Sequence, residues 1–194
     1  MTDCCIPETS LDDGVLTLRP WDPDSESDVT VYLTGVTDAE FTRWNTPDKP
    51  ISSFAESRAS LRRRADERLR GVGAAFCVAD AIDGTVLGQV AINAIAWNIK
   101  RAVVSYWLLP HARGRHLSAR ALELATLWAY DSLGLHRLEL YHAVGNQASC
   151  RIAERCGYAH EGVLRDRMFQ SGDRSRYRDA HLHARLATDP HTTT

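Results

Sequence analysis

Leu108-Leu109-Pro110-His111-Ala112-Arg113-Gly114-Arg115-His116-Leu117-Ser118 carries the chain from an apolar strand straight into an Ala/Leu-rich helix. The strand reads as Arg101–Leu109, closed by Pro110. The helix reads from about Leu117 to Ser132, with Leu117, Ala121, Leu124, Ala125 and Trp128 at helical spacing. The first amides of a helix have no partner inside it, and the helix dipole adds partial positive charge there. A pyrophosphate suits that geometry without special chemistry. Gly114 lets the backbone come close to a ligand, and Arg113, Arg115 and Arg120 would add charge-assisted contacts to phosphate. Taken alone, the turn reads equally well as a basic surface loop.

The surrounding elements set the fold class. Residues 1–12 read as a loose segment, residues 13–187 as the domain and residues 188–194 as a tail. Val15–Arg19 alternates and stops at Pro20, as a first strand does. Val29–Arg43 reads as one or two helical pieces with Gly35 as the break. Ser52-Ser53-Phe54-Ala55-Glu56 has the spacing of a helix start, a serine cap with glutamate three residues on. That helix reaches about Arg70, and its Arg62-Arg63-Arg64 run reads as a solvated face. Ala74–Asp80 and Thr85–Ala96 flank the hairpin signal Asp83-Gly84. After the central helix come a strand at His136–Ala143, a helix at Asn146–Cys156 stopped by Gly157, and strands at Tyr158–Leu164 and Tyr177–Leu186. This order predicts an α+β domain with a mostly antiparallel sheet and one strand–turn–helix crossover.

Bulk properties exclude some functions. The 194 residues suit one domain, and a formal net charge of -2 lacks the basic footprint of a nucleic-acid binder. Any polyanion must meet a local site. No apolar stretch reaches a membrane span, and the first residues have neither the basic nor the apolar region of a signal peptide. Five cysteines without metal-type spacing predict free thiols and a cytoplasmic protein. His181 and His183 flank Leu182 on a strand and share a face, but no third ligand is visible, so no metal is predicted.

A second stretch sharpens the reading: Asn146-Gln147-Ala148-Ser149-Cys150-Arg151-Ile152-Ala153-Glu154-Arg155-Cys156-Gly157-Tyr158, then Glu161-Gly162. It resembles the Asn-x-x-Ser…Gly-Phe/Tyr…Glu-Gly signature of the RimJ/RimL-like branch of the GNAT superfamily of N-acyltransferases. Leu16–Trp21 and Tyr177-Arg178-Asp179 are similar to the same branch, so the resemblance spans about residues 12–187. The turn resembles the family's Gln/Arg-x-x-Gly-x-Gly/Ala motif. Arg113 matches its first position, but His116 and Ser118 stand where small residues are usual.

The resemblance implies a GNAT-like sheet with a splayed pair of strands holding acyl-CoA. The donor would be acetyl-CoA, with succinyl-CoA as a variant. The acceptor would be a protein N-terminal amine or a small-molecule amine, and the enzyme a monomer or homodimer. The amides from Gly114 through Arg115, His116 and Leu117 to Ser118 would hold pyrophosphate, provided His116 keeps a negative φ. Amides near Leu108 and Leu109 would polarise the thioester, at a splay or bulge of that strand. Asn146 would cap its helix and bond the pantetheine arm. Ser149 would donate a proton to the departing thiolate; it reads equally as an ordinary helix serine.

The family's glutamate base falls on Met168, which accepts no proton. Asp166, Glu139, Asp179 and a water chain are the other options, and a non-catalytic acyl-CoA-binding module is the competing reading. Trp44 and Trp97 each line the acceptor pocket or pack in the core. Of Tyr106 and Trp107, one faces inward and the other the ligand side, and Tyr106 is taken with Trp44 and Trp97 as a substrate-binding candidate. A P-loop is absent from the sequence.

Overall fold

The structure, a computed structural model, describes residues 5–47 and 49–190. The elements are β1 (Leu11–Asp12), β2 (Leu16–Pro20), α1 (Glu26–Thr37), α2 (Ala39–Trp44), α3 (Phe54–Leu69), β3 (Ala74–Asp80), β4 (Val86–Ala96), β5 (Arg101–Leu108), α4 (Leu117–Asp131), β6 (Arg137–Ala143), α5 (Gln147–Arg155), β7 (Ala159–Gln170) and β8 (Asp173–Leu186). All strands join one sheet in the order β1-β2-β3-β4-β5-β6-β8-β7.

The central strands are buried on both faces. In β3, Ala74, Phe76 and Val78 point into the core shared with α4, where Phe76 meets Trp128 edge-on at 5.0 Å between ring centres. Ala75 and Cys77 point the other way, to Trp21, Val29, Tyr32 and Leu61 beneath α1 and α3. This two-sided burial explains why β3 reads as an unbroken apolar run.

Every strand pair is antiparallel except β5–β6. That parallel pair is in register from Arg101↔Arg137 to Val104↔Leu140 and then stops. Beyond it β5 stays with β4 as far as Gly88↔Leu108, while β6 stays with β8 as far as Ala143↔Ala180. The two strands therefore part over Ser105–Leu108 and Tyr141–Ala143, opening a cleft in the middle of the sheet. The helix-length crossover between them contains α4, as a parallel connection requires.

Three expectations change. Gly35 does not break a helix: α1 runs through it, and the break is at Asp38, which ends α1 and caps α2. Gly35 serves close packing, since a Cβ there would lie 2.2 Å from the Trp107 ring. The first residues are not wholly loose either. Ile6 is buried, with its N–H on the Arg68 carbonyl, and Leu11–Asp12 pairs with β2. Residues 1–4 of that segment and 191–194 of the expected tail lie outside the described residues.

The last hairpin is also longer than its alternation suggested. Its exposed charged stretch hides the pattern, and tertiary contacts extend it. Thr46 Oγ1 donates to the Gln170 carbonyl at 3.0 Å, Ser171 Oγ to Thr42 at 3.0 Å, and Arg178 Nη2 to Trp44 at 2.7 Å. These bonds lay the hairpin tip against α2 and carry Met168 to the cleft.

Candidate functional site

The cleft between β5 and β6 has a volume of about 290 Å³. Its walls include Tyr106 and Leu108 of β5, Leu140 and His142 of β6, Gly114 and Ser118 at the start of α4, and Asn146 and Ser149 at the start of α5. Trp44, Phe41 and Glu40 of α2 close one end together with Met168. Two motifs far apart in sequence thus meet in one space.

The start of α4 differs from that of every other α-helix among the described residues. Ser25 caps α1, Asp38 caps α2, Ser53 caps α3 in a full capping box, and Asn146 caps α5 through Oδ1 to the Ser149 N–H at 3.2 Å. No side chain among the described residues caps α4, and its first turn holds no acidic residue. Its leading amides are therefore open donors facing a cleft, the usual requirement for anion binding. Gly114 reaches a φ of 76° in this turn with nothing around its missing side chain.

His116 does not keep a negative φ: it sits at φ 61° and ψ 8°, in the left-handed region. Histidine therefore follows a backbone that glycine adopts freely, at a cost of roughly 1–2 kcal/mol. Its Nδ1 accepts a hydrogen bond from Arg155 Nη1 at 3.0 Å. Arg155 stands 39 positions away, so only the packing of α5 against α4 reveals that it belongs to the turn.

The arginines divide. Arg113 is bound back onto the protein, through Nε to the Leu108 carbonyl at 3.0 Å and through Nη2 to Asp38. Burial would raise the Asp38 carboxyl, but the Arg113 guanidinium and the Phe41 and Glu40 amides outweigh it and hold it below the usual range. Arg120 pairs with Asp13. Arg115 is exposed and makes no hydrogen bond or ion pair with another described residue, while Arg155 is bonded to His116 but to no carboxylate among the described residues, so these two cations of the turn are not neutralised.

The oxyanion donor also narrows. The Leu109 N–H is taken by the Leu87 carbonyl at 2.8 Å. Backbone groups alternate sides along a strand, so with Leu108 opposite Gly88 the Leu108 and Tyr106 N–H groups face the side where β6 has left. The β4–β5 register shift lies between Asn93 and Ala96, so splay and not a bulge frees this edge.

Ser149 has its backbone fixed by Asn146, while its hydroxyl makes no hydrogen bond among the described residues and faces the cleft. Beside it the buried Tyr106 hydroxyl also lacks a partner. Burial pushes that phenol up. Trp107 turns to the opposite face, between Gly35 and Phe41.

The candidate bases fare differently. Glu139 is buried away from the cleft and bound by the Tyr141 hydroxyl, Arg137 and Arg101. Burial would raise it, but those partners more than offset that and lower it. Asp166 and Asp179 lie outside the cleft lining, with the Asp166 N–H donating to Asp179 at 2.9 Å. Glu40, which sequence reasoning passed over, is the one carboxylate among the described cleft residues. Its Oε1 accepts from Trp44 Nε1 at 2.6 Å. Trp97 is not in the cleft: it packs against the core and donates to the Gly71 carbonyl at 2.7 Å. No helix among the described residues is long and apolar enough to cross a membrane.

Similarity to known proteins agrees with this geometry. RimJ of Mycobacterium smegmatis, solved with a CoA disulfide, superposes with a TM-score of 0.82 at 20% identity, covering 95% of this chain and 90% of that one. The spermidine N(1)-acetyltransferase of Vibrio cholerae is 25% identical over 132 residues, 68% of this chain and 72% of that protein. The uncharacterized N-acetyltransferase YoaA of Bacillus subtilis is 28% identical over 87 residues, 45% of this chain. The chain spans about half the length of the Bacillus relatives it matches, 49–50% of each. The family model described as acetyltransferase (GNAT) domain matches residues 15–159, most of the chain, and the chain belongs to that family.

Proposed function

We propose that this chain transfers an acetyl group from acetyl-CoA to a primary amine by direct attack in a ternary complex. The observation that carries the reading is the uncapped start of α4, open to the same cleft as the free edge of β5 and the Ser149 hydroxyl. Pyrophosphate is held by the amides from Gly114 to Ser118, with Arg115 and Arg155 assisting and Arg113 bracing the turn. The Asn146 side chain caps α5 through its oxygen, which leaves its NH₂ for the pantetheine arm. The Leu108 N–H faces the thioester oxygen as charge develops. Ser149 supplies the proton to the thiolate, whose parent thiol has a pKa of about 8.5.

The acceptor enters at the α2 end, past Trp44 and Glu40. A carboxylate there attracts a cationic amine. With Met168 where a carboxylate base is usual, the substrate's own pKa matters. An α-amine near 7.7–8.0 is roughly a tenth neutral at pH 7, whereas a lysine amine near 10.4 is almost wholly protonated. This favours a protein N-terminal α-amine or another low-pKa amine. The solved RimL described as a ribosomal L7/L12 α-N-protein acetyltransferase, of similar fold at a TM-score of 0.81, acts on an amine of the first kind. The free thiols of the described cysteines suit a cytoplasmic protein.

The test is to mix protein with acetyl-CoA or succinyl-CoA and a panel of peptides and small amines, and to follow free thiol. Thiol release with an α-amine, and less with lysine side chains, is expected. Binding of coenzyme A without release on any amine indicates a binding module; no binding overturns the reading. Ser149→Ala should lower kcat by about 10–100-fold while leaving coenzyme A affinity nearly unchanged.

A further inference from the structure

His142, Cys150, His181 and His183 converge beside the cleft, whose wall includes His142, each offering one ligand atom, with all four atoms within 4.8 Å of one another. They come from three elements. His142 of β6 stands directly opposite His181 of β8 in the antiparallel register. His183 follows two residues on, hence on the same face. Cys150 reaches that face from α5, with Sγ 3.7 Å from His183 Nε2.

The second layer of contacts has the form that metal-binding imidazoles take. His142 Nδ1 lies 3.1 Å from the Ala143 carbonyl, and His183 Nδ1 lies 3.3 Å from the Tyr158 carbonyl. A carbonyl only accepts, so each Nδ1 carries the proton and each Nε2 presents a lone pair. Backbone carbonyls orient metal-binding histidines in the same way. His142 is 5% exposed and His183 fully buried. His142 Nε2 and His181 Nδ1 are buried without any hydrogen-bond partner. Buried polar atoms of this kind are normally satisfied, and a cation at the centre would satisfy both.

We infer that these four residues form a binding site for one transition-metal dication of the zinc class. Three imidazoles and a thiolate are ligands for such ions and not for magnesium or calcium. Tetrahedral zinc–nitrogen and zinc–sulfur bonds place ligand atoms about 3.3–3.6 Å apart. The observed cluster reaches that spacing with side-chain shifts of about 1 Å. Four protein ligands make the site closed, hence structural. It joins α5 to β6 and β8, and Cys150 directly follows Ser149, so the metal would hold the cleft wall in place. Binding forms one metal–sulfur and three metal–nitrogen bonds, and the thiol proton leaves to solvent. The site stands independently of the acyltransferase reading, because its measurement needs no coenzyme A.

The experiment strips the full chain with a chelator, titrates it with Co²⁺, and then displaces the cobalt with Zn²⁺. One equivalent should bind, with intense tetrahedral d–d bands and a thiolate-to-cobalt charge-transfer band, both bleached by Zn²⁺. Cys150→Ser should abolish the charge-transfer band. His142→Asn and His183→Asn should weaken Zn²⁺ binding by about a hundredfold or more, while the exposed His136→Asn should bind as the parent does. Zn²⁺ should raise the melting temperature of the parent protein and not of Cys150→Ser. Absence of tetrahedral cobalt bands in the parent protein overturns the proposal, whatever the variants do. So does uptake that Cys150→Ser and His142→Asn leave unchanged in a folded state verified by circular dichroism.

Discussion

The starts of α3 and α4 solve one problem in opposite ways. In α3 the chain supplies its own acceptors: Ser53 Oγ takes the Glu56 N–H at 3.3 Å, and the Glu56 carboxylate takes the Ser53 N–H at 3.1 Å. In α4 no side chain among the described residues answers the first amides, and the residue before the helix is held at positive φ. The difference teaches that an open start is the exception among the α-helices of the described residues. The other four helices are capped by side chains, so the missing cap is local to the cleft. Helix-start polar groups left open require an outside partner, and the cleft is where one enters.

The most direct way to break the contrast is to give α4 an acidic first turn. Ser118→Asp should strengthen the helix by about 0.3–1 kcal/mol through its dipole. The same charge should weaken coenzyme A binding at least about fivefold, since like charges 4 Å apart repel by about 1–4 kcal/mol across the range from water to a protein surface. Calorimetric titration and thermal melts should therefore move in opposite directions. If both fall together, the open amides are not the phosphate seat.

Removing the cap of α3 is the mirror case. Ser53→Ala should cost about 1 kcal/mol of stability in a denaturant titration and leave coenzyme A affinity unchanged, because α3 does not line the cleft. His116→Gly should sharpen the contrast by easing the left-handed residue. Relief of roughly 1–2 kcal/mol is partly offset by about 0.5–1 kcal/mol of glycine entropy, so a gain of up to about 1.5 kcal/mol in the same titration is expected.

Asp38 supplies the smallest and most specific test. It caps α2 and also grips Arg113 at the foot of the α4 turn. Asparagine is as good a cap as aspartate, so Asp38→Asn removes only the charge. Because the Asp38 carboxyl is held below its ordinary value, the ion pair contributes stability above the unfolded pKa of about 3.9. That contribution is lost as pH falls through the lower folded value. Parent and variant should differ by less than about 1 kcal/mol at pH 7, and the difference should shrink toward zero at strongly acid pH. A difference that persists in acid would show that the carboxylate charge is not what braces the turn.

Much of the site is written locally. The capping box at Ser53 and Glu56, the Asn146 cap, the glycine in the turn and the apolar face of α4 are short-range patterns, and each stands where its spacing placed it. Reading went astray where a residue's role depends on a distant neighbour. Gly35 looks like a helix break until Trp107 is set against it. Arg113 looks like a phosphate ligand until Asp38 is brought beside it. Trp97 and Trp44 look alike in sequence, yet one bonds Gly71 and the other lies at the cleft mouth with Glu40. His181 and His183 were visible as a same-face pair, but the third and fourth ligands come from the strand opposite and the helix above.

By itself the sequence determined most of the elements, their order, the crossover between β5 and β6, and the helix starts that meet the cleft, because caps, turns and periodicities act over a few residues. Only the tertiary structure decided which arginines stay free, which strand amide faces the splay, what closes the acceptor end, and that three histidines and a cysteine share one point. Those outcomes depend on strand register and helix packing, which bring together groups separated by tens of residues and which no short-range pattern encodes.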